Sequence, residues 1–271
     1  MRLAPEAAAA GFRLATHEVL PSTNAAALHH AVEHSDDTQP LWIVACEQSE
    51  GRGRRGNAWV SPPGNLYATL LLIDPAPPRR TPELSFVAAL AVYDALCGRA
   101  PRLANRIALK WPNDVLCDGN KLAGILLEGR MRGEKIAVAI GIGVNCLHHP
   151  PHTSFPATDL AAAGTQVGAD ALFATLSVTM LRRLEQWRNG AGFSGVRDDW
   201  LARAAGIGDT MRVRLPEREV VGRGEGLDGS GCLLLRLADG SLQTIAAGEV
   251  FPLTGGETRL QQNHMATDGA G

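Results

Sequence analysis

The sequence predicts an α+β protein in two parts, a larger mixed domain followed by a small all-β domain. Apolar strand-like runs alternate with helical patterns as far as Ala205. From Asp209 to Val250 the texture changes to short β segments punctuated by "DGSG" and "ADG". The 271 residues, 45% hydrophobic and 20% charged, suffice for one sizeable core and a smaller one, which excludes a disordered chain.

The elements follow in order. "FRLATHEV" (Phe12 to Val19) reads as a strand, and "PSTNAAALHHAVEH" puts Ser22, Thr23 and Asn24 at a strand-to-helix junction, where small polar side chains cap helices. "LWIVACEQ" is an apolar strand that enters the loop "EGRGRRGNAW" (Glu50 to Trp59), and "NLYATLLLI" is the strand that leaves it. The loop therefore spans two core strands. Apolar residues at helical spacing run from Leu84 to Leu96, with Thr81 as the expected N-cap and Pro82 in the first turn. Short strands "IALKWP", "DVLC" and "KLAGILLEG" follow, the last two joined by a "DGN" turn, and then "KIAVAIGIGVNC". Helical patterns cover Ala169 to Trp187 and Gly195 to Ala205. The segments "MRVRL", "REVVGRGEGL", "CLLLRL" and "SLQTIAA" then form a barrel-sized domain of roughly forty residues.

Composition removes several classes of function. A formal net charge of -2 gives no general attraction to nucleic acid, so any phosphate site is local. The five cysteines show no CxxC pair and no zinc spacing, and they read as reduced thiols of a cytoplasmic protein. No apolar run of 18 residues exists, and the five-residue patch near the N-terminus is too short for a signal core. The polar stretch 254–271 reads as a disordered tail.

Two clusters carry chemistry. In the loop, Gly51, Gly53 and Gly56 permit close backbone approach, while Arg52, Arg54 and Arg55 offer bidentate donors to carboxylate or phosphate. The alternative is a solvated basic turn, and neither a Walker loop nor a GxGxxG helix start fits. In "LKWPNDVLCDGNKLAGILLE" both basic positions are lysine, Lys110 and Lys121, although the chain has only three lysines among its 26 basic residues. If lysine and arginine were interchangeable this would occur about once in a hundred times, which points to a need for a compact ammonium on a phosphate or carboxylate, the alternative being two solvated lysines. Pro112 holds Trp111 extended and presents Asn113 and Asp114, which is either a metal or amine ligand or a turn former. The glycines of "GIGVN" mark close approach of a ligand or a bulge.

"STN" at Ser22, the arginine loop running into "SPPGNLYATLLL", "LKWPNDVLCDGNKLAGILLE" and "GIGVN", in this order, resemble the biotin–protein ligases over Phe12 to Val250. The resemblance implies a mixed-sheet catalytic domain of the biotin/lipoate ligase type (12–206) with a small SH3-like C-terminal β-barrel (207–253). It also implies a two-step reaction, in which biotin and Mg-ATP give biotinyl-5'-AMP and the biotin passes to a lysine of a biotin carboxyl-carrier protein domain. By this resemblance Arg52, Arg54, Lys110, Lys121 and Asp114 serve the chemistry, with Asp114 also a weak Mg²⁺ ligand. Ser22, Thr23, Asn24, Gln48, Arg52, Gly53, Arg54, Lys121, Gly124, Gly141 and Gly143 line the biotin end. Arg54, Arg55, Trp59, Asn113, Lys121 and Asn145 meet ATP and the adenylate. Glu50 departs from the small residue usual before the loop and adds a negative charge there.

A lipoate ligase shares the fold and is the enzymatic alternative. Family members that repress transcription carry an N-terminal winged helix of roughly 60 residues, for which "STN" at residue 22 leaves no room. The expected partner is therefore the carrier protein, without DNA or membrane, and a homodimer is compatible with the sequence.

Overall fold

The computed structural model describes residues 1–34 and 36–252, so the tail expected at 254–271 lies outside the described residues. The chain divides into two compact units, Met1–Leu109 with Asn113–Arg203, and Lys110–Pro112 with the residues from Ala204 on. The second unit thus begins slightly before the expected 206/207 boundary and includes the first part of the "KWPND" motif.

The first unit is built on a seven-stranded mixed sheet. Its strands are β1 (Arg13–Leu20), β2 (Leu41–Gln48), β3 (Leu66–Ile73), β4 (Ile107–Lys110), β5 (Asp114–Cys117), β6 (Asn120–Arg132) and β7 (Lys135–Val144), in the order β1-β2-β3-β7-β6-β5-β4. β1 pairs with β2 in parallel, whereas β2–β3, β3–β7, β7–β6 and β6–β5 are antiparallel. Between β5 and β6 the "DGN" turn has Asp118 at φ 49° and Gly119 at φ 76°, the left-handed pair that a two-residue hairpin requires.

Helices α2 (Thr23–Glu33), α3 (Leu84–Arg99), α4 (Ala169–Trp187) and α5 (Phe193–Leu201) cover the sheet. Leu41 and Ile43 of β2 join Ala27 and Ala31 of α2 in one core cluster with Leu71, Ala137 and Ala139. Trp42, between them in sequence, meets Phe173 of α4 edge-on at 5.4 Å. Since alternate residues of a strand face opposite ways, α2 and α4 lie on opposite faces of the sheet. Phe86 of α3 in turn packs edge-on against Phe193 and Trp200 of α5. A short helix α1 (Pro5–Ala9) precedes the expected start of the domain, and the N–H of Ala4 at its cap donates to Ser177 Oγ at 3.1 Å.

Ser22 caps α2 as expected, its hydroxyl accepting the Ala25 N–H at 3.4 Å. Thr81 does not cap α3. It sits inside a 3₁₀ turn, Pro78–Glu83, and donates to Pro78 O, while Glu83 holds the cap position without a side-chain capping bond, its carboxylate accepting from Trp187 Nε1 instead. Pro82 lies inside that turn and has no N–H to give, so the chain tightens for one more turn before the α-helix begins.

The second unit carries a five-stranded antiparallel sheet of β8 (Thr210–Arg214), β9 (Glu219–Leu227), β10 (Leu233–Arg236), β11 (Leu242–Ile245) and β12 (Glu249–Pro252), ordered β11-β10-β9-β8-β12. A shift of register at Leu234/Leu235 bends the β9–β10 pair. Within this unit Trp111 Nε1 donates to Gly231 O at 3.0 Å, and the Lys110 ammonium donates to Val250 O at 3.3 Å.

Candidate active site

The arginine loop is a folded hairpin. Its entry is pinned by Ser49 N–H to Leu20 O and Glu50 N–H to Pro21 O, and its arms are joined by Gly53 N–H to Asn57 O and Trp59 N–H to Gly51 O. A side chain at Gly51 would place a Cβ 2.3 Å from Trp59 O, so only glycine lets the arms close. At the tip, Arg55 has φ 56° and Gly56 φ 75°. The Glu50 side chain is exposed, and so is that of Arg55.

The hairpin delivers Trp59 onto the sheet. Gly124 of β6 and Gly143 of β7 are paired in register, and the indole lies directly on both. A Cβ at Gly143 would fall 2.6 Å from Trp59 Cε2 and Nε1, and one at Gly124 would fall 3.1 Å from Cζ3. The two glycines therefore form a slot that accepts a flat ring. The indole N–H is buried and has no hydrogen-bond partner among the described residues. Beside it, Lys121 Nζ lies 5.5 Å from the ring centre and forms a 2.6 Å ion pair with the buried Asp114 carboxylate. Arg54 donates to Asn113 Oδ1 at 3.2 Å, and Asn113 is itself held by a 2.6 Å bond from its amide to Ile125 O.

A polar knot lies at the α2 end of the site. Gln48 Oε1 accepts the Thr23 N–H at 2.9 Å, and Gln48 Nε2 donates to Ser61 Oγ at 3.0 Å. Asn24 Nδ2 donates to Leu126 O at 3.2 Å and to Glu128 Oε2 at 2.8 Å. Arg52 reaches the same Glu128 oxygen at 3.2 Å from the loop. Gly141 leaves room for this amide, since a Cβ there would stand 2.3 Å from Asn24 Oδ1.

The structure thus gathers Thr23, Asn24, Gln48 and Gly141 in one cluster, with Ser22 capping α2 next to Thr23, and Trp59, Lys121, Asp114, Gly124 and Gly143 in a second. Arg52 ties the loop to the first cluster through Glu128, and Arg54 ties it to Asn113. Lys110 is 3% exposed and belongs to the second unit. Asn145 is buried at the end of β7, where its amide donates to Thr158 O at 3.0 Å. The segment that binds it also pairs with Lys121, whose backbone exchanges bonds with Pro156 and Thr158. The Asp114 carboxylate serves the Lys121 ammonium, and among the described residues no group of three or more His, Cys, Asp or Glu side chains can hold a metal ion.

Sequence reasoning passed over Ser61, Thr69 and Glu128. A signal existed for two of them: Thr69 is the one polar residue amid the apolar run "LYATLLLI", and Glu128 ends the apolar "LAGILLE" on an acid. Burial adds one titration effect nearby. Desolvation pushes the Tyr67 hydroxyl well above its ordinary range, which keeps it a neutral donor to Pro62 O at 2.7 Å at the loop exit.

Comparison with known proteins gives the geometry its context. Residues 16–145 match the biotin/lipoate A/B protein ligase family, and residues 206–251 match the biotin protein ligase C terminal domain. The biotin–[acetyl-CoA-carboxylase] ligase of Paracoccus denitrificans is 44% identical over 237 residues, 85% of this chain and 96% of that protein. The bifunctional ligase/repressor BirA of Bacillus subtilis is 32% identical, over 85% of this chain and 71% of that protein. Among solved structures, the Aquifex aeolicus biotin protein ligase in complex with biotin and ATP superimposes with a TM-score of 0.72 at 25% identity, covering 88% of this chain and 97% of that one. By its sheet, its loop and its paired domains, the chain belongs to the biotin protein ligases of the biotin/lipoate A/B protein ligase family.

Proposed function

We propose that this protein joins biotin to AMP and then to a carrier protein. In the first step a biotin carboxylate oxygen attacks the α-phosphorus of ATP, pyrophosphate leaves, and biotinyl-5'-AMP forms. In the second, the neutral amine of a lysine on a biotin carboxyl-carrier protein domain, such as that of acetyl-CoA carboxylase, attacks the acyl carbon. AMP leaves and the amine proton is lost. The observation that carries this reading is the ring slot of Gly124 and Gly143, flanked by the Lys121 ammonium and closed by an arginine hairpin. The Paracoccus relative supports it with an acetyl-CoA-carboxylase ligase name at 44% identity.

Bringing a carboxylate to a polyphosphate crowds negative charge, and fixed cations lower that barrier. Lys121, Arg52 and Arg54 supply them in this reading, while Asp114 holds the Lys121 ammonium in place. Ser22, Thr23, Asn24 and Gln48 receive the ring end of biotin, over a floor of Gly124, Gly141 and Gly143 and under Gly53. Arg54, Arg55, Asn113, Asn145 and Trp59 meet the nucleotide, with Trp59 leaving the slot as ligand enters. Lys110, whose ammonium donates to Val250 O, is the remaining residue that the resemblance assigns to the chemistry. Mg²⁺ enters as part of the Mg-ATP substrate. Among the described residues no helix is long and apolar enough to cross a membrane, and the five cysteines are free thiols. A reducing compartment containing ATP, the cytoplasm, suits both.

Purified protein incubated with biotin, Mg-ATP and a carrier domain tests the proposal. Pyrophosphate release together with a mass gain of one biotinyl group on the carrier supports it. Modification of the carrier by lipoate instead of biotin would move the assignment to the other branch of the family.

A further inference from the structure

Asn145 is held by a segment that belongs to neither cluster of the site. Its amide donates to Thr158 O at 3.0 Å, and its backbone carbonyl accepts the Leu160 N–H at 3.0 Å. The same segment pairs with the start of β6, where Lys121 N–H donates to Pro156 O at 2.8 Å and Thr158 N–H donates to Lys121 O at 3.0 Å. Residues 156–160 therefore form a strap that ties Asn145 to Lys121. The two depend on it unequally. Lys121 also pairs with Leu116 of β5 and with the Asp114 carboxylate, whereas the Asn145 side chain has Thr158 O as its one hydrogen-bond partner among the described residues.

Asp159 fixes the strap. It is buried between Thr158 and Leu160 in sequence, and its two carboxylate oxygens have separate tasks. Oδ1 accepts the Ala162 N–H at 2.6 Å and folds the turn that ends the strap, which Ala163 N–H closes on Asp159 O. Oδ2 meets His149 Nδ1 at 2.6 Å. A carboxylate only accepts, so Nδ1 carries the hydrogen. His149 is delivered there by a stretch fixed from the start of β3. Asn65 takes the N–H groups of Cys146, Leu147 and His148 on its Oδ1 and returns its amide to His148 O at 2.8 Å. The His149–Asp159 pair thus closes a circuit that begins just after Asn145 and returns to the strap holding it. A turn at this point needs only a neutral capping oxygen, and a buried acid is costly. What the acid adds is a charge-assisted grip on the histidine.

We propose that His149 and Asp159 are positioning residues for the nucleotide, which hold the Asn145 amide in the orientation that meets ATP. The inference rests on the functional reading above, in which Asn145 faces the nucleotide, and it adds two residues that act through Asn145. With Nδ2 fixed on a carbonyl the amide cannot turn over, so the order in which it offers its acceptor and its second hydrogen is set.

The full chain carrying His149→Leu or His149→Asn tests this, with pyrophosphate release read against Mg-ATP concentration and biotin binding without ATP read by calorimetry. In His149→Leu the KM for Mg-ATP is expected to rise about tenfold, the loss of roughly one well-made hydrogen bond, while biotin affinity stays within about threefold. His149→Asn, whose amide nitrogen can stand where Nδ1 stood, is expected to bring the KM back to within about threefold of wild type. In an Asn145→Ala background His149→Leu is expected to add nothing, because the group it positions is gone. The His149 side chain is 33% exposed, and His149→Ala gives the same readings where leucine is not tolerated. A role confined to the fold would weaken biotin and ATP alike and would add to Asn145→Ala. Either of those results, or an unmoved KM in His149→Leu, overturns the positioning role alone. Failure of the wild type to release pyrophosphate from biotin and Mg-ATP overturns the functional reading and this inference with it.

Discussion

Replacing Lys121 by alanine removes a cation from the proposed reaction, but the structure adds a second consequence. The ammonium sits 2.6 Å from a carboxylate whose side chain is only 8% exposed, so Lys121→Ala leaves Asp114 buried without this counter-charge. Removing one partner of a fully buried pair costs about 3–5 kcal/mol. Because the Lys121 side chain is itself 27% exposed and water reaches that end, about 2 kcal/mol of folding stability is the better expectation. Loss of a cation facing the transferred phosphoryl group costs about 3 kcal/mol of barrier, a hundredfold or more in rate. The two effects separate in a cycle of Lys121→Ala, Asp114→Asn and the double variant. Urea unfolding is expected to show the single lysine variant destabilised and the double variant largely restored, since asparagine buries no charge. Pyrophosphate release is expected to stay at least a hundredfold down in both. A double variant that forms adenylate at the wild-type rate would remove Lys121 from the chemistry. A Lys121→Ala protein as stable as the parent would show that the ion pair contributes nothing to the fold.

Three further outcomes follow from the same geometry. Gly143→Ala puts a methyl 2.6 Å from the indole, against an ordinary carbon contact of about 3.5–4.0 Å, so Trp59 and any ligand ring are both pushed from the slot; Trp fluorescence should change and biotin affinity fall at least tenfold, and unchanged affinity would place the ligand elsewhere. Arg54→Gly should form adenylate yet release it, since a charge-assisted contact is worth about 1.5–3 kcal/mol; biotin on bystander proteins is the readout, and labelling confined to the carrier contradicts it. For Asp37, burial raises the carboxyl pKa, but bonds from Arg13, His30 and the Gln39 N–H outweigh it and hold the group at about 2 instead of 3.8. The folded form thus binds a proton less readily than the unfolded one, so this contribution is complete above about pH 4 and lost as pH falls toward 2; thermal midpoints of wild type and Asp37→Asn that run parallel across that window would refute it.

The fold was legible wherever a local pattern decided the outcome. Helix α4 spans Ala169–Trp187 as its periodicity indicates, and the "DGN" turn closes β5 on β6 because Asp118 and Gly119 adopt the left-handed conformations that their residue types tolerate. Thr81 is the counter-example, for the cap signal was present but the proline beside it set the preceding turn. Within the site, the residues marked by sequence are the glycines and charges of the loop and of strands β5, β6 and β7. The residues bonded to the Asn24 amide, Thr69 and Glu128, act across chain separations of 45 and 104 residues, and a single sequence carries no record of which distant strands will be neighbours.

The two lysines of one motif show the same limit most sharply. Lys110 and Lys121 have the same chemistry, and composition singles out both. Strand pairing separates them: Lys121 enters β6 opposite Leu116 of β5 and projects to Asp114 and the indole, whereas Lys110 ends β4 with its ammonium on the carbonyl of Val250, 140 residues further on. A buried ammonium needs acceptors, because its desolvation is not otherwise offset, and a carbonyl at a strand end is one such acceptor. Residue type therefore identifies where a compact cation is required. Its partner then distinguishes the two positions, a carboxylate beside a ring slot for Lys121 and a backbone oxygen of β12 for Lys110.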